Sequence, residues 1–283
     1  MGTEHKIVIG DSRNMRELKD GSIQLIVTSP PYFNVKRYGD GKDNIGSIDA
    51  FSDYLNEMRS VFSECYRVLE DGRYLCVNIS DVISNKKKYS IPAHFCIMLQ
   101  KLGFEYREDI IWKKPDGLGS GGATSAGKRF GVFLQHPFPM YYYPNNIYEH
   151  ILVFRKGKFN FKNTTDEQKM DSRPDLDKMK NKFNSDIWEF TPSIKNQYTR
   201  DSHPAMFPET LPEALISLYS YKGEIVLDPF LGSGTTMKVA RYPERSSVGY
   251  EINPDYLRII AGKIGSSHPD SQIRFIRHGG VAS

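Results

Sequence analysis

The sequence predicts a doubly wound α/β fold, in which helices cover both faces of a mostly parallel sheet. Short apolar runs that end in polar or turn residues alternate along the chain with segments of helical periodicity. Two of these runs lead into loops rich in proline or glycine, at residues 28–32 and 228–236. Loops at the carboxyl edge of a parallel sheet commonly bind ligands, so both loops are candidate functional segments.

The length and composition are those of one globular domain that carries at most an insertion. The chain has 283 residues, 39% hydrophobic and 25% charged, and no apolar run reaches the ~20 residues of a membrane span. No signal segment precedes the first strand-like run, so we expect a cytoplasmic protein. The net charge of +4 favours a polyanionic partner without identifying it. Cys65, Cys76 and Cys96 lie in apolar stretches and are expected to be reduced core residues.

The first part of the chain alternates strand and helix patterns. Apolar residues between positions 48 and 69, such as Tyr54, Met58 and Cys65, recur at three- and four-residue spacing and predict an amphipathic helix. Pro92 fits the first turn of a second helix. In order, the predicted elements are strands at residues 6–9 and 24–28, the helix at 48–69, a strand at 74–79, a helix at 91–102 and a strand at 106–112.

The pattern changes after Pro115. Residues 117–127 are mostly glycine, serine and alanine and predict a mobile loop, and a polar stretch follows a single strand at 148–155. The alternation resumes with a helix at 208–221, a strand at 224–227, a helix at 234–241, a strand at 247–250 and a helix at 254–263. We therefore expect a catalytic and cofactor-binding domain formed by residues 1–114 and 189–283, with an insertion at 115–188.

The loop at residues 226–236 predicts a cofactor site. It follows an apolar strand, contains Gly232 and Gly234, and leads into a helix, so its backbone amides can approach a ligand closely. Glu251 ends the next predicted strand, where a carboxylate can accept hydrogen bonds from both hydroxyls of a ribose. A phosphate-binding NTPase loop requires a Gly-Lys pair, and a dinucleotide loop requires a third glycine where Met237 stands. A nucleoside cofactor fits better than either, although a glycine turn that only joins strand to helix has similar residues.

The loop at residues 28–32, Thr-Ser-Pro-Pro-Tyr, predicts chemistry on an exocyclic amine. Consecutive prolines hold the backbone rigid and lack N–H groups, which leaves carbonyl oxygens able to accept. An exocyclic amine is a poor nucleophile until acceptors, here Ser29 Oγ and the Pro30 carbonyl, draw on its hydrogens. Tyr32 offers a face on which an extruded base can stack. Alone, the same residues also fit a proline strand terminator with a packed tyrosine.

Together the two loops resemble those of the amino-methylating DNA methyltransferases, in the permuted arrangement known as the beta group. The catalytic loop comes first and the cofactor loop last, which is typical of that group. The resemblance implies a Rossmann-like methyltransferase fold with a seven-stranded, mostly parallel sheet and one antiparallel hairpin, formed by the strands at 106–112 and 148–155. It assigns catalysis to Ser29, Pro30, Pro31 and Tyr32. It assigns cofactor binding to Asp11, His203, Phe207, Asp228, Pro229, Phe230, Gly232, Gly234, Thr235, Thr236 and Glu251.

The same resemblance implies S-adenosylmethionine as the cofactor and double-stranded DNA as the substrate, with no metal ion. A methyl group would pass directly to a base flipped out of the duplex, and the insertion at 115–188 would recognise the target. A serine before Pro-Pro-Tyr favours the N4 amino group of cytosine, and the N6 amino group of adenine is the alternative. The basic residues expected to contact DNA, unless they only form a solvated face, are Lys36, Arg37, Lys128, Arg129, Lys156 and Lys158.

Other classes of protein share part of this pattern. An RNA methyltransferase can have both the fold and a proline-proline-aromatic loop, and an inactive DNA-binding homologue would keep the fold. The presence of Ser29, Tyr32, Asp228 and Glu251 argues against loss of chemistry. A nucleotide-binding regulator would leave the Ser-Pro-Pro-Tyr loop unexplained. For a DNA methyltransferase, a cognate restriction endonuclease is a further expected partner.

Overall fold

The structure, a computed structural model, describes residues 2–34, 44–85, 87–115, 139–140, 146–160, 164–192, 207–264 and 271–277. The predicted loop at 117–127 lies outside these ranges. Within them the strands are β1 (Thr3–Ile9), β2 (Ile23–Thr28), β3 (Leu69–Ile79), β4 (Val82–Ser84), β5 (Lys87–Tyr89), β6 (Glu105–Lys113), β7 (Tyr148–Arg155), β8 (Ile187–Glu189), β9 (Ile225–Asp228), β10 (Ser246–Glu251) and β11 (Ser271–Arg277). The α-helices of the same ranges are α1 (Phe51–Val68), α2 (Ile91–Lys101), α3 (Asp166–Asp171), α4 (Leu176–Lys182), α5 (Thr210–Tyr219), α6 (Thr235–Arg241) and α7 (Leu257–Ile264). None of these helices is both long and apolar enough to span a membrane.

Nine of the described strands form one sheet, in the order β11-β1-β10-β9-β2-β3-β7-β6-β8, and β4 and β5 form a separate hairpin. Neighbouring strands are parallel except at β7, which is antiparallel to both β3 and β6. The mostly parallel sheet and the antiparallel pairing of the strands predicted at 106–112 and 148–155 are confirmed. The predicted number of seven strands is wrong, because β8 and β11 extend the two edges. Edge strands are short or half-exposed and lack the continuous apolar run of a central parallel strand.

The order of strands in the sheet differs from their order in the chain. The strands β1, β10, β9 and β2 are consecutive parallel neighbours, so their carboxyl ends reach the same edge. Ile26 of β2 pairs with Leu227 of β9 although they are far apart in sequence. The loops after these four strands therefore meet, and this is how a permuted motif order forms a single site.

Helices pack on both faces of the sheet, which confirms the doubly wound arrangement. On one face, Phe62 of α1 and Phe95 of α2 belong to the same buried cluster as Ile26. On the other face, Leu215 of α5 belongs to a cluster that contains Val27. Because neighbouring residues of a strand point to opposite faces, β2 must be apolar along its whole length.

Several elements have different bounds from those predicted. The predicted helix at 48–69 starts only at Phe51, because residues 45–47 form a separate 3-10 turn. The strand β3 begins directly where α1 ends, since Gly72 donates its N–H to the Lys156 carbonyl and extends the pairing. The predicted helix at 254–263 divides into a 3-10 turn at Pro254–Tyr256 and α7. The polar stretch after β7 contains α3 and α4, which the sequence did not predict.

Candidate active site

A cleft opens at the carboxyl edge of the sheet, where the ends of β1, β10, β9 and β2 meet. It is partly open to solvent and lies outside the carboxyl ends of parallel strands, the usual position of a ligand site in an open α/β sheet. Both loops predicted to be functional contribute to it. The described residues that line the cleft are Gly10, Asp11, Ser12, Ser29, Pro30, Pro31, Tyr32, Asn44, Ile45, Pro229, Phe230, Gly232, Tyr250, Glu251, Ile252 and Tyr256.

The loop at residues 29–32, which we call the catalytic loop, is anchored by α1. Tyr54 of α1 is fully buried and donates its hydroxyl to the Pro31 carbonyl at 3.0 Å. Phe33 follows the loop and packs edge-on against Phe51, with ring centroids 5.2 Å apart. These contacts hold the backbone on both sides of Tyr32, whose side chain lines the cleft and is 8% exposed. The Pro31 carbonyl therefore supports the loop. The predicted acceptors for an amine, Ser29 Oγ and the Pro30 carbonyl, belong to the two residues before it.

Asp228 joins the catalytic loop to the cofactor loop. Its carboxylate accepts from Thr28 Oγ1 at 2.8 Å, from Thr236 Oγ1 at 2.7 Å and from the Phe230 N–H at 3.1 Å. Thr28 ends β2, whereas Thr236 lies in the first turn of α6. Burial raises the pKa of Asp228 to about 6, although these hydrogen bonds act in the opposite direction. Asp228 is not among the described residues that line the cleft, so its geometry indicates a structural link between the loops.

Glu251 faces the cleft from the end of β10. Its Oε2 accepts from the Gly232 N–H at 2.9 Å, and its Oε1 accepts from the Asn253 N–H at 2.8 Å. Burial raises the pKa of Glu251 to about 7. Each carboxylate oxygen has a second lone pair, so Glu251 can still accept from two hydroxyl groups in the cleft.

A lysine that sequence reasoning missed supports the glycine loop before α6. Gly234 caps α6 with a φ of 82°, a left-handed conformation that favours glycine. Lys263 of α7 donates from Nζ to Ser233 Oγ at 2.9 Å and to Thr235 Oγ1 at 2.6 Å. Burial lowers the pKa of Lys263 to about 8. The loop hydroxyls thus point towards α7, and no local sequence signal links them to a lysine about thirty residues away.

Asp11 lines the cleft after β1 and is oriented by Arg13. Its Oδ1 accepts from the Arg13 N–H at 2.9 Å, and its Oδ2 accepts from Arg13 Nε at 2.7 Å. Arg13 Nη1 also lies 2.5 Å from Glu57 Oε2 of α1. Because both partners of Arg13 are acids, the guanidinium holds the Asp11 side chain in one orientation at the mouth of the cleft.

The structure divides the predicted site residues into three groups. Those that line the cleft are Asp11, Ser29, Pro30, Pro31, Tyr32, Pro229, Phe230, Gly232 and Glu251. Those that are buried behind the cofactor loop are Asp228, Gly234, Thr235 and Thr236. Phe207 packs instead against the buried cluster beneath α5 and α6. The predicted residues that lie outside the described ranges are His203, Lys36, Arg37, Lys128 and Arg129.

The positions of Lys156 and Lys158 do not support the predicted DNA contacts. Because β7 runs antiparallel to β3, its last residues lie at the edge of the sheet opposite the cleft. Lys156 Nζ donates to the Leu69 carbonyl at 2.7 Å and lies 4.8 Å from the ring centroid of Tyr66. Charge is visible in a sequence, but the direction of a strand is not, so the sequence could not show that these lysines follow β7 at the edge opposite the cleft.

Several cleft residues were not predicted. Ile252 directly follows Glu251 and is 42% exposed, and Tyr256 lies in the turn after it. The isoleucine directly after the acid that ends β10 was a usable sequence signal, since an apolar side chain beside Glu251 can contact a flat ring. Asn44 and Ile45 precede α1 and also line the cleft, and no local sequence pattern marks them.

The chemistry of the lining fits a nucleoside that carries a sulfonium. Glu251 supplies a carboxylate for ribose hydroxyls, and Phe230 supplies an aromatic face, which favours a cation. The catalytic loop lies in the same cleft, so a base placed against Tyr32 would meet the cofactor directly. No group of three or more His, Cys, Asp or Glu side chains in the described part of the chain is arranged to hold a metal ion.

Comparisons with known proteins agree with this chemistry. The family model described as DNA methylase, for N6 and N4 methyltransferases, matches residues 23–262. The type II methyltransferase M.MjaI of Methanocaldococcus jannaschii is 32% identical over 312 residues, which cover 98% of each chain. The protein TTHA0409 of Thermus thermophilus, solved in complex with S-adenosyl-L-methionine, has a TM-score of 0.73 and 25% identity, over 96% of this chain and 98% of that one. The PvuII DNA methyltransferase, described as cytosine-N4-specific, has the same fold, with a TM-score of 0.68, 21% identity and coverage of 94% and 89%.

The fold, the cleft and these similarities define the class of protein, an S-adenosylmethionine-dependent methyltransferase that acts on DNA. More narrowly, the chain belongs to the DNA methylase family whose members modify the N4 amino group of cytosine or the N6 amino group of adenine. The predicted family, the amino-methylating DNA methyltransferases, and the predicted cofactor are confirmed.

Proposed function

We propose that the chain methylates the N4 amino group of a cytosine flipped out of double-stranded DNA. The observation that carries this choice is Ser29, a neutral hydroxyl in the cleft directly before the two prolines and Tyr32. Family members with serine at this position resemble cytosine-N4 enzymes, whereas those with aspartate resemble adenine-N6 enzymes. The N6 amino group of adenine is the second candidate, because a hydroxyl can accept a hydrogen bond from either amine.

The catalytic loop acts on the base. A paired base holds its amino group inside the duplex, so the target must leave the stack, and Tyr32 provides the surface on which it rests. Ser29 Oγ and the Pro30 carbonyl accept hydrogen bonds from the amino hydrogens and direct the nitrogen lone pair across the cleft. After transfer, the nitrogen loses one proton to solvent, while Ser29 Oγ and the Pro30 carbonyl act as hydrogen-bond acceptors beside it.

The opposite side of the cleft binds the cofactor, S-adenosylmethionine, which supplies an electrophilic methyl group. Of the residues that line the cleft, Glu251 would accept from the ribose hydroxyls, Phe230 would offer its ring to the sulfonium, and Asp11 would bind the adenine. Since Asp228 bonds both Thr28 and Thr236, the two sides of the cleft are held at a constant separation. A fixed separation favours direct transfer of the methyl group between the bound molecules.

We further propose that methylation occurs at a specific DNA sequence and protects it from a cognate restriction endonuclease. The relative M.MjaI is described as a type II methyltransferase and matches this chain over nearly its whole length. The insertion at 115–188 is the proposed target-recognition region, because the chain leaves the sheet after β6 and rejoins it at the start of β7, both on the catalytic edge.

The proposal is tested with purified protein, unmethylated genomic DNA and S-adenosylmethionine that carries a deuterated methyl group. The DNA is digested to nucleosides and analysed by mass spectrometry, and an equal amount of RNA is treated in parallel. Labelled N4-methylcytosine is the expected product, whereas labelled N6-methyladenine would select the second candidate. Label in RNA alone would contradict the choice of DNA as substrate. Heat-denatured protein serves as the control for non-enzymatic methylation.

A further inference from the structure

We propose that Lys114 and Glu149 form a positioning pair for Tyr32, which sets the direction of its ring before a target base enters the cleft. The inference rests on the proposed stacking role of Tyr32 and applies equally to cytosine and to adenine. Neither Lys114 nor Glu149 lines the cleft among the described residues, so their effect on a base would pass through Tyr32.

A short chain of hydrogen bonds connects the three side chains. The Tyr32 hydroxyl donates to Glu149 Oε2 at 3.2 Å. The other oxygen, Glu149 Oε1, lies 2.8 Å from Lys114 Nζ, which is also 5.4 Å from the ring centroid of Trp112. Tyr32, Glu149 and Lys114 are 8%, 7% and 5% exposed, so water has little access to any of them.

The antiparallel pair β6 and β7 places both charged residues at the catalytic edge. Glu149 of β7 lies opposite Trp112 of β6 in the register. Lys114 follows the end of β6, and its N–H donates to the Ile147 carbonyl at 2.8 Å. In the sheet, β3 separates β7 from β2, so the Glu149 side chain reaches the catalytic loop from the far side of β3.

Stability alone does not account for this arrangement. Removing two charges from water costs about as much as their attraction returns, and apolar replacements of similar volume often stabilise a protein equally well. Here each carboxylate oxygen has its own partner, so the ion pair determines where Oε2 lies. A carboxylate can only accept, and the phenol must therefore donate towards a fixed point.

A fixed hydroxyl also fixes the ring. The ring of Tyr32 turns about two side-chain torsions, and anchoring its outer end removes most of that freedom before a base arrives. The entropic cost of ordering the Tyr32 side chain is then met during folding, and binding of the base does not incur it. We therefore expect the pair to favour the flipped, stacked state of the base, with no effect on the cofactor side of the cleft.

The test is a double-mutant cycle on the rate of a single turnover, with DNA and cofactor saturating. One arm is Tyr32→Phe, which keeps the ring and removes only the hydroxyl. The other arm is the double substitution Lys114→Met with Glu149→Leu, which removes both charges and leaves neither of them buried alone. If the pair acts through the hydroxyl, each arm slows methyl transfer by about tenfold or more, and combining them slows it no further.

Two further measurements separate positioning from general destabilisation. Lys114→Met with Glu149→Gln keeps an oxygen that can accept from Tyr32, and we expect it to recover most of the rate lost with leucine. If the leucine variant does not fold, Lys114→Met with Glu149→Met, which also lacks an oxygen acceptor, replaces it in the cycle. Cofactor affinity, measured by calorimetry, should stay within about twofold of the wild type in every folded variant.

Several outcomes overturn the inference. Multiplicative losses when the arms are combined would show that the pair acts independently of the hydroxyl. An unchanged rate in Tyr32→Phe, or no recovery with glutamine, would show that the anchor has no role. These outcomes assume a wild-type enzyme that methylates DNA, whereas an inactive wild type would overturn the proposed function together with this inference.

Discussion

Glu251 is a buried carboxylate whose two oxygens accept backbone N–H groups, and burial raises its pKa to about 7. Its charge therefore has an energetic cost in the free protein at neutral pH. Two ribose hydroxyls would donate to the charged form and would favour it. Binding of the cofactor should then release a proton wherever Glu251 begins protonated.

This proton release predicts a pH-dependent cofactor affinity. A raised pKa means that the protonated form, which accepts poorly, predominates below about pH 7, so affinity rises with pH and levels off above that value. At pH 6, where about one tenth is ionised, the Kd should be about tenfold weaker than at pH 8. Calorimetry across this range measures the slope. Glu251→Gln should bind weakly with a flat profile, and an unchanged slope in that variant would assign the titration to another group such as Asp228.

Two tyrosines of the cleft allow its two sides to be tested separately. Tyr32→Ala removes the proposed stacking surface, worth about 1–3 kcal/mol, and should lower kcat or raise KM for DNA while cofactor affinity is kept. Tyr256→Ala is the matched control, because Tyr256 lines the cleft beyond Glu251 and should contribute mainly to cofactor affinity. Steady-state kinetics and calorimetry on both variants give the comparison. Equal losses of turnover and cofactor affinity in Tyr32→Ala would indicate that the residue is structural.

At the scale of elements, the junction between α1 and β3 depends on a glycine. Gly72 has a φ of 85°, and a Cβ at this position would lie 2.8 Å from Phe159 N and 2.9 Å from the Lys158 carbonyl. These are backbone atoms, which cannot rotate away as a side chain can. Close approach of the two chain segments is also what extends β3 towards Leu69.

Gly72→Ala should lower the free energy of unfolding by more than the strain of the left-handed backbone conformation alone would. Gly223 is the control, since its φ of 80° is similar and no atom would lie within 4 Å of a Cβ at that position. Gly223→Ala should lower the free energy of unfolding by about 1–2 kcal/mol, from the left-handed conformation. Gly72→Ala should lose about 1–3 kcal/mol more, from the steric clash. Denaturant unfolding measures both, and equal losses would mean that the segment at 158–159 moves aside at little cost.

The elements that the sequence predicted well are those whose pattern is determined locally. The strand β7 was predicted with its observed bounds, because Ile151 to Phe154 form a continuous apolar run that needs two buried faces. Glu251 and Tyr32 were found because each follows such a run. By contrast, β8 has only three residues, too few for a recognisable pattern, and was not predicted. The contact of Glu149 with Tyr32 was also not predicted, because it depends on which strands are neighbours in the sheet. Strand order and direction result from tertiary packing, and a sequence pattern does not contain them.

At the scale of the whole molecule, the sheet separates two tasks. The ends of β1, β10, β9 and β2 form the cleft, whereas the first part of the insertion, residues 116–145, lies between β6 and β7 in the chain. The N–H of Lys114 donates to the Ile147 carbonyl, so the chain leaves and rejoins the sheet at adjacent points. Removal of the residues between them therefore need not disturb the fold, since a hairpin is closed by about 2–5 residues.

Replacement of residues 116–145 by a Gly-Ser linker of about four residues should separate target recognition from cofactor binding. If this part of the insertion recognises DNA, the variant keeps its Tm and cofactor affinity but loses most DNA affinity and all sequence-specific methylation. Lys128→Ala with Arg129→Ala in the full chain is the control for charge, because these are the two basic residues within the replaced segment. If both residues contact phosphates, the control variant should show a smaller slope of log affinity against log salt, equivalent to the loss of about two phosphate contacts. It should still methylate the same target sequence. Unchanged methylation sites in the linker variant would instead place recognition outside residues 116–145, in the rest of the insertion or in the loops around the cleft.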